Sequence, residues 1–297
     1  MERGKNANVA ACIAQAEALL LEEEVERALA LVEKTLQDHN HVGLWRFKKR
    51  LLIMLGEEAE AATVMKRILA FVQQPTPGEL ALAGAGSSAF TSLKDQKLLY
   101  LHVPKCGSTT VKDMLYHVLT GQSAAGHSHT LMRKEAPYRF LERATLPQDF
   151  ADWFKFLVVR DPISRLRSYY RFNLCFTNDL AKEFGERERY LGLALQPDYD
   201  EFLKNLPRYR QVFRTLRAHT NALADIAGGD PSVYDWVGTV RDMADLRAAL
   251  SERTGVAIPE IHNFRSKDMA TITPDAALED QARAAYARDY EVYGQFF

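Results

Sequence analysis

Three short segments limit what this chain can fold into more than anything else in it. LLYLHV at 98–103, KFLVVR at 155–160 and YDWVGTV at 234–240 are largely apolar runs of six or seven residues. Continuous apolar runs of that length, closed by turn residues such as Pro104, suit parallel strands buried on both faces. Each is followed by a helical pattern: about Thr109 to Thr120, the segment after Pro162, and Asp242 to Thr254. Strands alternating with helices predict an α/β fold, a parallel sheet flanked by helices. In such sheets ligands gather at the carboxyl ends of the strands.

The first quarter of the chain reads differently. Ile13, Ala16 and Leu20 recur at helical spacing, and Val25, Ala28, Leu29, Val32 and Leu36 continue the pattern through Glu24 to Gln37. His39, Asn40, His41 and Gly43 mark a turn. Leu44 to Leu55 is a third helix stopped at Gly56, and Ala59 to Val72 a fourth stopped by Pro75 and Pro77. Ile13 and Phe47, Leu20 and Met54, and Ala28 and Ala62 are pairs spaced as the tetratricopeptide period of about 34 residues requires. Two such helical hairpins are fewer than these arrays need, so they are expected to lean on the rest of the protein or on a second copy. An unrelated four-helix cap is the alternative. The Pro-, Gly-, Ala- and Ser-rich segment that follows reads as a linker. The expected organisation is therefore a tetratricopeptide-like domain at 1–76, a linker at 77–93 and an α/β domain at 94–297.

Composition excludes several functions. The 297 residues are 47% hydrophobic with a net charge of −1. A general nucleic-acid or anionic-membrane binder needs an excess of Lys and Arg, so any anion site must be local. No stretch reaches the ~20 apolar residues of a membrane helix. The N-terminal apolar run is broken by Gln15 and Glu17, unlike an export signal. Cys12, Cys106 and Cys175 are widely spaced, which signals neither a disulfide framework nor a zinc site. A cytoplasmic location is expected.

Two motifs fall at strand ends. HVPKCGSTTV (102–111) sets Lys105, Gly107, Ser108, Thr109 and Thr110 between a strand and a helix start. Gly107 permits a tight turn, and the helix N–H groups and dipole favour an anion there. Lys105 and three hydroxyls complete a phosphate cradle. The nucleotide-triphosphatase loop has its lysine after the last glycine, whereas Lys105 precedes Gly107. The plainer alternative is a βα turn that only caps a helix. VVRDPISRLRSYY (158–170) ends a strand at Arg160, offers Asp161 as a cap, and places Ser168 about two turns further on. Arg160 and Ser168 can converge on one phosphate. Arg165 and Arg167 read as solvated or paired with carboxylates.

Together these motifs resemble those of the sulfotransferases that use 3′-phosphoadenosine 5′-phosphosulfate (PAPS), and most closely the carbohydrate, uronyl 2-O-type enzymes with their V-P-K-T-A-S-T-S loop. The resemblance implies the sulfotransferase fold, with a P-loop-like sheet. It also implies PAPS as cosubstrate without a metal, Lys105 to Thr110 at its 5′ end, and Arg160 with Ser168 at its 3′-phosphate. Cys106 stands where a Thr is usual and Gly107 where that subgroup has Ala. The likeness continues through DWVGTVRDMADLRAAL, IHNFRSKD (261–268, offering Ser266 and Lys267) and the ending ARDYEVYGQFF.

An acceptor hydroxyl needs a base, and His suits neutral pH. His127 and His129 stand two apart in GHSHTLM, and on a strand they would share a face. The uronyl subgroup carries a similar His-x-His after its first loop, which implies base and acceptor contact for this pair. Two exposed loop histidines are the alternative, a metal site a third reading, and His219 a rival base. Arg208, Arg210, Arg214 and Arg217 could meet an anionic glycan or form a solvated helix face. The expected function is transfer of a sulfuryl group to a carbohydrate hydroxyl, with self-association or a protein partner through the N-terminal helices. A nucleotide kinase of related fold and a non-catalytic helical adaptor are the competing classes.

Overall fold

The computed structural model describes residues 2–71, 87–124, 127–185, 187–261, 272 and 274–297. The chain divides into two units, one formed by 1–85 with 178–217 and the other by 86–177 with 218–297. Each folds around its own apolar residues.

The second unit holds the sheet. Its strands are β1 (Ser87–Leu93), β2 (Leu98–Leu101), β3 (Tyr138–Glu142), β4 (Phe154–Val159) and β7 (Trp236–Thr239), in the order β3-β1-β2-β4-β7. β2, β4 and β7 run parallel, with Tyr100 opposite Phe156 and Phe156 opposite Trp236. Every residue of β2 and β4 is buried, as their largely apolar sequences require, and the one charged residue, Lys155, donates to Phe150 O at 3.1 Å and Trp153 O at 3.0 Å. Tyr100 and Phe156 stack at 5.3 Å across the pair. Helix α5 (Ser108–Thr120) follows β2 and buries Val111, Met114 and Leu115, while Leu246 and Leu250 come from the helix Met243–Thr254 after β7. The expected parallel α/β core is present.

The sheet is nevertheless mixed. β1 pairs antiparallel with β2 on one side and β3 on the other. β1 lies inside the segment expected to be linker. Its alternation of Ser and Thr with Phe90 and Leu93 hides a strand stabilised by pairing along both edges, with Ser88 and Thr91 buried beside those apolar residues.

The first unit is helical: α1 (Glu2–Leu21), α2 (Val25–Asp38), α3 (Val42–Leu55) and α4 (Glu58–Phe71). His41 caps α3, its Nδ1 accepting from Gly43 N at 3.0 Å. Gly56 ends α3 at φ +86°, and the N–H of Glu57 reaches back to Leu52 O at 2.8 Å. Leu52, Ile53, Val64, Met65 and Ile68 join α3 to α4. These helices share their unit with 178–217, a departure from a domain confined to 1–76. Tyr190 Oη donates to Leu20 O at 2.8 Å, and Arg208 Nη1 to Met54 O at 2.7 Å in the last turn of α3. A short hairpin of β5 (Arg189–Tyr190) and β6 (Leu193–Ala194) carries Tyr190. Among the described residues no helix is long and apolar enough to cross a membrane.

Candidate functional site

The site forms at the carboxyl edge of the parallel strands. Beyond β2 the chain turns with Lys105 at φ +64° and Gly107 at φ +71°. Gly107 is the N-cap of α5, so the N–H groups of Ser108, Thr109 and Thr110 open that helix without intrahelical acceptors. They point where the dipole favours negative charge. Lys105 Nζ donates to Asn173 Oδ1 at 2.8 Å and lies 4.5 Å from the ring centre of Phe172. Both partners come from the π-helical turn Tyr170–Phe176 that continues α7 (Pro162–Tyr169).

Cys106 exposes no side chain at this edge. Its side chain is buried in the core, and burial pushes the thiol up to about 11. It can offer a ligand its backbone but not a thiolate. Ser108 is largely buried, while Thr109 and Thr110 are half-buried.

Arg160 leaves β4, the hydrogen-bonded neighbour of β2, at the same edge. Burial, with Arg171 and Arg165 nearby, holds its guanidinium below the usual range despite Cys106 and Asp161. Asp161 caps α7, accepting from Ser164 N at 2.8 Å and from Tyr290 Oη at 2.6 Å. Ser168 sits half-buried in the last turn of α7. Arg167 pairs with Glu279 at 2.5 Å, as the sequence suggests. Arg165 is neither solvated nor paired with a carboxylate. It is buried and donates to Asn221 O at 3.0 Å and to Pro104 O and His219 O at 3.4 Å. Carbonyls satisfy it because three chain segments converge there.

The His-x-His segment is a helix rather than a strand. α6 spans Ser128–Glu135, and the N–H groups of Thr130 and Leu131 bond back to His127 O. The two histidines therefore do not share a strand face. His127 is the exposed N-cap residue and its side chain makes no capping bond. His129 reaches the loop instead: Nε2 lies 3.2 Å from Thr109 Oγ1 and Nδ1 lies 2.9 Å from Lys112 Nζ. His129 keeps an exposed face, but partial withdrawal of its ring from water and then the Lys112 ammonium pull it down to about 4. His102, whose ring is 5.9 Å from that of His129, is held well below its usual value by burial and then by Lys112. His219 packs on Tyr169 at 5.6 Å and adds to the field at both histidines.

Lys112, Tyr138 and Asn173 are site residues that lie outside the motifs, and His102 opens the first motif without being singled out there. Ser266 and Lys267 lie outside the described residues. Arg208, Arg210, Arg214 and Arg217 belong to the helical unit, where Arg208 closes the end of α3.

The sulfotransferase family matches residues 88–294, from β1 to the last turn of the chain. The chain belongs to the sulfotransferase family. No curated protein and no solved structure matches it. The match takes in the whole strand-edge site of this sulfotransferase-type enzyme and none of α1–α4. It does take in 178–217, which this sulfotransferase folds together with those helices.

Proposed function

We propose that this sulfotransferase moves a sulfuryl group from PAPS to an acceptor hydroxyl on a carbohydrate. The observation that carries the reading is the placement of Lys105 and Arg160 at the ends of adjacent parallel strands, two separate basic groups on one edge. A donor anionic at both ends of its nucleoside needs such a pair. Lys105, the N–H groups that open α5 and the hydroxyls of Ser108, Thr109 and Thr110 suit the 5′-phosphosulfate. Arg160 and Ser168 suit the 3′-phosphate. A buried Arg171 Nε without a hydrogen-bond partner, close enough to Arg160 to repel it, fits an anion at that end.

PAPS supplies an activated sulfuryl group whose departure leaves negative charge on the bridging oxygen. Lys105 and the α5 N–H groups stabilise that charge, as in phosphoryl transfer. Asn173 and Phe172 keep the Lys105 ammonium at the loop. His129, beside Thr109, takes the hydroxyl proton, and exposed His127 is available to an acceptor.

Calorimetry with 3′-phosphoadenosine 5′-phosphate (PAP) tests the reading. Losing one charge-assisted contact of ~1.5–3 kcal/mol should weaken PAP binding about 10- to 100-fold in Arg160→Ala. Lys105→Ala should lose turnover far more than affinity, read by mass on a panel of hydroxyl acceptors with labelled PAPS. Wild-type PAP affinity in Arg160→Ala would refute the assignment.

A further inference from the structure

Lys112 stands in the second turn of α5 with 2% of its surface exposed. A buried ammonium is costly unless its hydrogens are taken up. Its Nζ meets Tyr138 Oη at 2.5 Å and His129 Nδ1 at 2.9 Å. The groups facing this pair are Arg133 from α6, Tyr138 from β3, and His102, which lies past β2 with its Nδ1 3.5 Å from Tyr138 Oη. Lys105 and His219 add positive charge at His129. On α5 itself, Asp113 accepts from Ala124 N.

The two ring nitrogens of His129 therefore face different partners, Nδ1 the lysine and Nε2 the loop. If Lys112 is an ammonium it donates to Nδ1, and the neutral imidazole carries its proton on Nε2. A ring in that form shows the loop an N–H and cannot accept there without setting two cations 2.9 Å apart. If Lys112 is an amine, Nδ1–H donates to Nζ and the Nε2 lone pair faces Thr109.

We infer that Lys112 is the positioning residue of His129, selecting the tautomer whose Nε2 takes the acceptor proton and receiving the Nδ1 proton in exchange. The inference rests on the sulfuryl-transfer reading. The acceptor O–H bond breaks as Nε2–H forms, and Nδ1–H breaks as a third N–H forms on Nζ. The new S–O bond forms as the bond to the 5′-phosphate of PAPS breaks, and that phosphate leaves with the electron pair. The proton ends on Lys112, which returns it to water. Burial and then Arg133 hold Lys112 down to about 8, so at neutral pH part of it is amine, and its position beside Nδ1 couples the two titrations.

Nitrogen-15 NMR of ring-labelled histidine in the full chain, from pH 6 to 10, reads the tautomer directly. The wild type should switch from Nε2–H to Nδ1–H with a midpoint near 8, and Lys112→Arg, cationic throughout, should stay Nε2–H. One tautomer across the wild-type titration, or a switch that survives in Lys112→Arg, overturns the inference. PAP calorimetry on the wild type separates the two levels. Binding without a switch removes the role of Lys112 alone, and a switch without binding removes the sulfuryl-transfer reading on which that role depends.

Discussion

At position 107 the absence of a single methyl group lets the loop turn as it does. Gly107 sits at φ +71°, and a Cβ there would come within 2.4 Å of Met243 Cε. The methionine tip can yield, but the left-handed backbone cannot. Gly107→Ala should therefore cost about 1–2 kcal/mol, measured by urea unfolding. The histidines set a second expectation. His102 and His129 are both depressed in the folded protein, so below ~6.5 the unfolded chain binds protons first and stability falls with pH. For His129 that loss runs from ~6.5 down to about 4. Calorimetric melting should drop across this window, and less steeply in His129→Asn. An equal slope in the variant would show that the shift is absent. Lys112, held to about 8, acts in the same direction at the alkaline end, where rising pH adds stability up to its unfolded value. None of this was readable beforehand. A lone lysine in a helix pattern looks solvated, and only the fold brings Tyr138 and His129 to it.

Among the elements, the helix Ala287–Tyr293 is tied to the segment at 223–224 through one carboxyl group. Asp289 is fully buried and accepts from Leu223 N at 2.7 Å and Ala224 N at 2.9 Å. Asp289→Ala leaves two buried donors unmet, at about 1–3 kcal/mol each, and should lower the urea midpoint more than any exposed substitution on the same helix. Asp161→Ala removes the α7 cap and the Tyr290 bond together, an expected loss of about 1–2 kcal/mol. Here the sequence speaks plainly: Asp161 before Pro162 reads as a cap, and β2 and β4 are unmistakable because both of their faces are apolar but for Lys155. β1 was hidden by its serines and threonines. The two histidines of 127–129 were too short a window to tell period two from helical period, and the helix formed.

For the molecule as a whole, the boundary was the illegible part, because segments distant in the chain decide it. Phe184 stacks on Tyr190 at 4.2 Å, Tyr190 bonds to Leu20, and Arg208 bonds to Met54, all within the helical unit. A fragment starting at residue 86 strips 178–217 of Leu20 and Met54, though it keeps the Phe184–Tyr190 stack. It should bind a hydrophobic dye and elute as aggregate in size-exclusion chromatography, whereas the full chain should not. A monodisperse fragment would show that 178–217 stands without α1–α4.

The same arrangement sets a timetable for biosynthesis. The helices made first cannot complete their unit until 178–217 has left the ribosome, more than a hundred residues after α4 ends at Phe71. At ~5–20 residues per second, half-finished helical hairpins wait roughly 7–30 s with their apolar seams uncovered. During that interval the nascent chain is a natural client for a chaperone.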